Sequence, residues 1–250
     1  MRVGLIGSGN MARALARGWG EPVLCSDSGS GRAAELAAEL GGRAASNLEV
    51  AQESDLVVLC HKPYQLAAVA AEIASDVKVV ASVLGGTSTA QLQKAYPGVP
   101  VFRLMPNTPV EVRQGVTCYA PAADVDPDLE SAVLGLFGRV GSVITIEDRL
   151  LGIANSVVGV GPAYQALLAE AQVDAAVRLG LKPALASRLV VETMAGSAAL
   201  LHARGYDTLT VRREVTSPGG STARGLDALE RAGVRAAFQA AIDRVCEVGN

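Results

Sequence analysis

A short apolar run at residues 2–6 breaks into Gly7-Ser8-Gly9-Asn10-Met11-Ala12 and then into a helical pattern through Trp19. This order constrains the fold more than any other segment. A strand that empties through Gly-x-Gly-x-x-Ala into a helix is the opening unit of a parallel sheet, with a turn shaped for a diphosphate. Gly7 allows the tight turn, Gly9 lets a pyrophosphate reach the backbone, and Ala12 keeps the helix close to the sheet. Ser8, Asn10 and Met11 complete the loop and are expected to bind the same dinucleotide. Glycine turns are common, so the strand–loop–helix context carries the reading.

The alternation continues. A strand is expected at 23–26, then a helix at 32–40 ended by Gly41-Gly42. Residues 56–60 form a nearly continuous apolar strand, as expected where helices cover both faces of a sheet. Further strands at 77–83 and 99–104 alternate with helices at 64–74 and 89–96. Edge strands are expected at 116–120 and 142–146, around a helix at 128–137. The fold class is α/β, with a doubly wound, mostly parallel sheet.

After Asp148 the strand signals thin out. Residues 162–179 and 183–202 read as long helices, with Pro162 suited to a first turn and Gly180 to a C-terminal cap. The expected domains are therefore 1–148, binding the dinucleotide, and 149–250, all-α. The second long helix is apolar over much of its circumference, so it is expected to pack on a copy of itself.

Bulk properties exclude several classes. A net charge of -3 and an aromatic content of 4% argue against nucleic-acid binding. Cys25, Cys60, Cys118 and Cys246 are scattered, and His61 and His202 offer no ligand spacing, so no metal is expected. Residues 150–169 match about one membrane thickness in length. Asn155, Ser156, Gly159, Gly161, Pro162 and Gln165 interrupt them, so the start of a buried helix is expected instead. The chain opens on a strand pattern without a signal-peptide layout, and a cytoplasmic protein is expected.

Candidate site residues cluster after the strands. Ser26-Asp27-Ser28, followed by Arg32, lies where an adenosine ribose is read. An acid there favours NAD and hydroxyls with an arginine favour NADP, so both cofactors remain open. Lys62-Pro63 and Gly85-Gly86 fall at strand C-termini that line the ligand crevice. His61 is read as structural or solvent-facing rather than as an acid or base. Asn107, held between Pro106 and Pro109, could anchor a carboxamide or ribose, or satisfy its own turn. Gly159-Val160-Gly161-Pro162-Ala163-Tyr164 forms either a binding wall or a glycine hinge. Near the C-terminus, Thr216-Ser217-Pro218-Gly219-Gly220-Ser221-Thr222 precedes a helical pattern at 223–232. Glycines and hydroxyls at a helix mouth make an anion trap suited to a carboxylate. Two anion sites suggest a cofactor and an acidic substrate.

Taken together, Val3 to Ala12, Lys62-Pro63, Met105-Pro106-Asn107-Thr108-Pro109, residues 159–164 and residues 214–222 closely resemble the pyrroline-5-carboxylate reductase family, in its order and nearly its spacing. The Ser-Pro-Gly-Gly-x-Thr element is the most specific piece. The resemblance implies an N-terminal Rossmann domain and a C-terminal helical dimerisation domain, hence a homodimer, with dimers often assembled into larger rings. It implies reduction of 1-pyrroline-5-carboxylate to L-proline by NADPH or NADH. The substrate carboxylate would sit on Gly219, Gly220 and Thr222, with Ser217 and Ser221 beside it as helix caps. Thr222 matches the threonine placed against the ring nitrogen and is the catalytic candidate, relaying or orienting a proton from water.

The sequence also departs from the family. Val158 and Val160 replace two serines, the stretch 204–211 lacks a His-Pro turn, and Arg213 stands where an aspartate is common. The valines fit either an altered substrate range or simple packing. Three other readings compete: a reductase of another cyclic imine carboxylate, a 2-hydroxy-acid-type dehydrogenase, and a non-catalytic NAD(P)-binding sensor. The second usually needs a lysine in its helical domain, and the only one after Lys94 is Lys182, at a helix start.

Overall fold

A computed structural model describes residues 1–122 and 125–248, with the side chain of Val248 left aside. Two compact units are present, Met1–Pro162 and Ala163–Val248.

The first unit is built on a single sheet of eight strands. In chain order these are β1 (Val3–Ile6), β2 (Leu24–Ser26), β3 (Arg43–Ala44), β4 (Leu56–Leu59), β5 (Val80–Ser82), β6 (Val101–Pro106), β7 (Gly115–Ala120) and β8 (Gly141–Thr145). Their spatial order is β3-β2-β1-β4-β5-β6-β7-β8. Strands β1 to β6 run parallel, β7 is antiparallel to β6, and β8 is parallel to β7. Only β8 is an edge at that end, because β7 pairs on both sides. The connecting helices are α1 (Asn10–Trp19), α2 (Arg32–Leu40), α3 (Asn47–Glu53), α4 (Leu66–Ile73), α5 (Thr89–Ala95) and α6 (Pro127–Gly138). A seventh, α7 (Leu151–Val157), closes the unit.

Strand alternation explains the continuous apolar runs. Leu5, Leu56 and Val58 face one core with Leu15, Trp19 and Phe137, whereas Ile6, Val57 and Leu59 face the other with Val50, Ile73 and Tyr96. Strands β1 and β4 thus bury both of their faces, and period-2 polarity disappears there. Two elements, β3 and α3, lie where no regular structure was expected. Strand β3 is two exposed residues long. Helix α3 is announced by a capping box, in which Ser46 and Glu49 satisfy each other's backbone amides.

The second unit contains α9 (Pro183–Ala203), α10 (Thr208–Glu214), α11 (Ser221–Arg231), α12 (Val234–Val248) and most of α8 (Gly161–Arg178). Asp207 caps α10 through the amides of Leu209 and Thr210, so the stretch 204–211 is partly helical. Tyr164 meets Phe238 edge-on, with ring centroids 6.2 Å apart. Among the described residues α8 buries nothing, and α9 buries only Ala186. The segments Asp148–Arg178 and Pro183–Ala203 are long and apolar enough to cross a membrane, by length and composition.

Candidate functional site

The strand order reverses between β1 and β4, which is where open α/β sheets receive ligands. A cleft of about 550 Å³ lies there, lined by Gly7, Gly9, Met11, Arg32, Lys62 and Pro63 among others. Backbone hydrogen bonds define its floor. Gly7 N–H donates to the Ser26 carbonyl at 3.1 Å, and Cys60 N–H donates to that of Ile6 at 2.8 Å.

The two glycines of the first loop are required for different reasons. Gly7 has φ +97°, and a β-carbon there would lie 2.6 Å from the His61 backbone nitrogen. The chain itself demands that glycine. Gly9 has φ -77°, and a β-carbon there would meet no protein atom within 4 Å. Nothing in the fold requires a glycine at that position. A glycine there leaves the backbone open to the phosphates of a ligand, and Gly9 is the N-cap of α1, which has no side-chain cap and no acid in its first turn. The first unit therefore fits a dinucleotide. Ala12 is fully buried, as close helix–sheet contact requires.

Other candidates divide between the cleft and the frame beneath it. Ser8, Asn10, Asp27, Lys62 and Pro63 line the cleft. The Ser8 side chain points inward, however, and its hydroxyl donates to the Ser26 carbonyl at 2.9 Å. Ser26 is buried and donates to Asn47 Oδ1 at 2.6 Å. Asn107 is buried outside the cleft lining, and its Oδ1 accepts the Val116 amide at 2.8 Å, which fixes the β6–β7 turn. Ser26 and Asn107 thus hold the walls. Asn47, Ser30, Gln65 and Leu84 also line the cleft and were missed in the sequence. The Ser46–Glu49 capping box was the one available signal, since it sets the start of α3 at Asn47.

His61 lines the cleft, and its Nδ1 sits 2.9 Å from the Lys62 carbonyl. A carbonyl only accepts, so Nδ1 carries the proton. Nε2 is buried without a partner, and burial holds the ring below the ordinary histidine pKa, against the opposing backbone bond. The imidazole is neutral at pH 7. Cys60, beside it, has its thiol pushed up to about 12 by burial.

In the second unit, α11 begins at Ser221, and its N-cap is Gly220, without a side-chain hydrogen bond. Ser217 and Ser221 therefore do not cap the helix. Gly220 takes the extended cap conformation itself (φ -68°, ψ 173°), and Ser221 is already inside the first turn. The helix mouth has no acidic residue in its first turn, and Gly219 turns the chain toward it at φ +68°. Thr222 and Ser221 are exposed and donate no side-chain hydrogen bond within the described residues. Arg224 Nη1 donates to the Gly219 carbonyl at 2.7 Å, which adds a cation near the positive end of the helix dipole. Val158 packs against the cluster of Met105, Cys118, Ala120 and Leu151, the packing use of that position.

Comparisons with known proteins match these features. Residues 148–249 match the family model for pyrroline-5-carboxylate reductase dimerisation, and residues 2–86 match that for NADP oxidoreductase, coenzyme F420-dependent. The pyrroline-5-carboxylate reductase of Synechocystis sp. is 36% identical over 198 residues, covering 78% of this chain and 74% of its own length. That of Methanosarcina acetivorans is 31% identical over 258 residues, covering 98% and 96%. The crystal structure of the Streptococcus pyogenes enzyme superposes with a TM-score of 0.89 at 29% identity, covering 100% of this chain and 98% of its own. The Plasmodium falciparum pyrroline carboxylate reductase, solved with NADP bound, gives 0.87 at 27% identity, covering 100% and 97%.

Proposed function

The chain belongs to the pyrroline-5-carboxylate reductase family, and from that premise we propose that it reduces the C=N bond of 1-pyrroline-5-carboxylate to L-proline. The carrying observation is the pairing, in one chain, of a dinucleotide cleft open at Gly9 with an acid-free helix mouth at Gly220. A sensor needs the first of these and has no use for the second.

Bound NADPH supplies the hydride. The first unit holds the cofactor's phosphates on the amides at the start of α1, with Lys62 as a nearby cation. The substrate carboxylate rests on the amides of Gly219, Gly220 and Thr222, with Ser217 and Ser221 at its side. Reduction also needs a proton on the ring nitrogen. A threonine hydroxyl is a weak acid, so Thr222 hydrogen-bonds the imine nitrogen and relays a proton from water. Holding the two reactants in register supplies most of the remaining acceleration.

The exposed apolar surfaces of α8 and α9 fall within the region matched to dimerisation, so we read them as the interface of a homodimer rather than as membrane spans. A ring of dimers would extend that assembly. The acidic balance argues against a nucleic-acid partner, and we take the enzyme to be cytoplasmic. The test is oxidation of NADPH and of NADH with pyrroline-5-carboxylate by the folded dimer. Turnover with at least one is expected; turnover with neither sinks the assignment, and activity only on another cyclic imine carboxylate moves it to that substrate.

A further inference from the structure

Helix α11 carries a cation where its own field disfavours one. Arg224 is its fourth residue, beside the amides of Ser221, Thr222 and Ala223 that no earlier turn can accept. An acid suits such a mouth, and the first turn holds none. Long side chains on a helix lean back toward its N-terminus, and Arg224 follows that direction. Its Nη1 reaches the Gly219 carbonyl, so the guanidinium lies against the glycine loop.

Carboxylates nearby are taken by other arginines. Asp227 stands three residues further along α11, at ion-pair spacing from Arg224, yet it holds Arg231 at 3.0 Å. Glu230 holds Arg235 at 2.8 Å. Among the described residues Arg224 pairs with no carboxylate, it is exposed, and the Gly219 carbonyl is the one acceptor its side chain meets. The backbone beside it is only partly free, because the Gly220 amide is shared with the Ser217 carbonyl at 3.1 Å. A guanidinium supplies what such a loop lacks: charged donors in a fork that matches the two oxygens of a carboxylate.

We infer that Arg224 sets the affinity of this mouth for the substrate carboxylate, approaching it from the side of the Gly219 carbonyl while the helix amides hold it from below. Its charge opposes the dipole of the empty helix and is neutralised when the anion binds. This rests on the reading of the mouth as the carboxylate site.

The test begins with steady-state kinetics on the whole protein, with pyrroline-5-carboxylate and NADPH, as wild type, Arg224→Ala, Arg224→Gln and Arg224→Lys. Arg224→Ala should raise KM by about tenfold or more with kcat nearly unchanged, since the contact is made equally in the ground and transition states. Arg224→Gln can still donate to the Gly219 carbonyl but carries no charge, and it should match Arg224→Ala. Arg224→Lys should fall between them and wild type. Without ligand, Arg224→Ala should melt at or above the wild-type temperature. A Gln variant with the wild-type KM, or an Ala variant that melts lower and loses kcat in parallel, makes Arg224 a pin for Gly219 and overturns the inference. Calorimetric titration with cyclopentanecarboxylate, a five-membered ring with a carboxylate and no nitrogen, judges the arginine without turnover. Wild type should bind it about tenfold or more tightly than Arg224→Ala. If wild type does not reduce pyrroline-5-carboxylate but binds this probe through Arg224, the reductase reading falls and the arginine's role stands. Equal binding by the two proteins, or binding by neither, overturns that role.

Discussion

Arg103, on β6, donates Nη1 to the Asp148 carboxylate at 2.8 Å and to the Asp148 backbone carbonyl at 3.3 Å. Thr89, the first residue of α5, donates its hydroxyl to the same carboxylate. One aspartate thus ties the sheet and α5 to the short turn that begins α7. Arg103 is 8% exposed, and its Nε has no partner, so the guanidinium relies on Asp148.

Removing that acceptor should cost more than removing the pair. Asp148→Ala is expected to destabilise the protein by about 2–3 kcal/mol, because it strands a buried cation. Adding Arg103→Met should recover part of the loss, since an apolar side chain needs no acceptor there. Denaturant melts of the single and double variants check this, and a double variant less stable than Asp148→Ala contradicts it.

The two glycines of the first loop should fail in different ways. Gly7→Ala places a side chain in a left-handed conformation against backbone, so it should lower the melting temperature, with a cost of at least about 1 kcal/mol. Gly9→Ala adds a β-carbon that meets no protein atom within 4 Å, so the melting temperature should move little while dinucleotide affinity falls. Thermal melts beside NADP⁺ binding separate the two, and equal loss of stability in both variants refutes the distinction.

Thr222 should affect turnover more than substrate affinity. Thr222→Ala is expected to lower kcat by about 100-fold, the lower range for general acid–base contributions, with a smaller change in KM. Thr222→Ser keeps a hydroxyl and should retain much of the activity. Steady-state kinetics decide, and an Ala variant as active as wild type removes the threonine from the chemistry.

Acid stability has a defined sign. For Asp148 burial acts upward, but the bonds from Thr89 and Arg103 and the Arg103 charge outweigh it, and the net shift is downward, as for Asp27. Both carboxylates start from an ordinary value of 3.8. A depressed carboxylate stabilises the fold fully above its unfolded pKa and loses that contribution as pH falls through the folded value. Their contribution should therefore be constant above about pH 5 and decline below pH 4. Melts of wild type and Asp148→Asn across this range test it: the difference between them should shrink on acidification.

Much of the fold was legible because it rests on local rules. The run at 56–60 betrayed a strand covered on both sides, and Gly41 marked the end of α2 in the left-handed conformation expected of a cap. What escaped had little pattern to offer. Strand β3 has two exposed residues, and the polar α10 depends on Asp207 as a cap. In the site, the glycine loop and Lys62-Pro63 were readable from position, but the fate of each polar group was not. The Asp27 carboxylate is claimed by amides whose directions depend on Gly29 and Gly31, both at positive φ. Asn107 is claimed by Val116, which comes close only through the β6–β7 turn. Such commitments depend on how the backbone turns, and residue order does not reveal them.

Helix α9 carries Leu185, Leu189 and Val191 about half exposed, with only Ala186 buried over 21 residues. In the dimer we propose, the burial these side chains require is supplied by another molecule, and mass action governs it. The stability of the second unit is then not a fixed property of one chain. It rises with the logarithm of protein concentration, and dilution alone acts on this enzyme as a denaturant would.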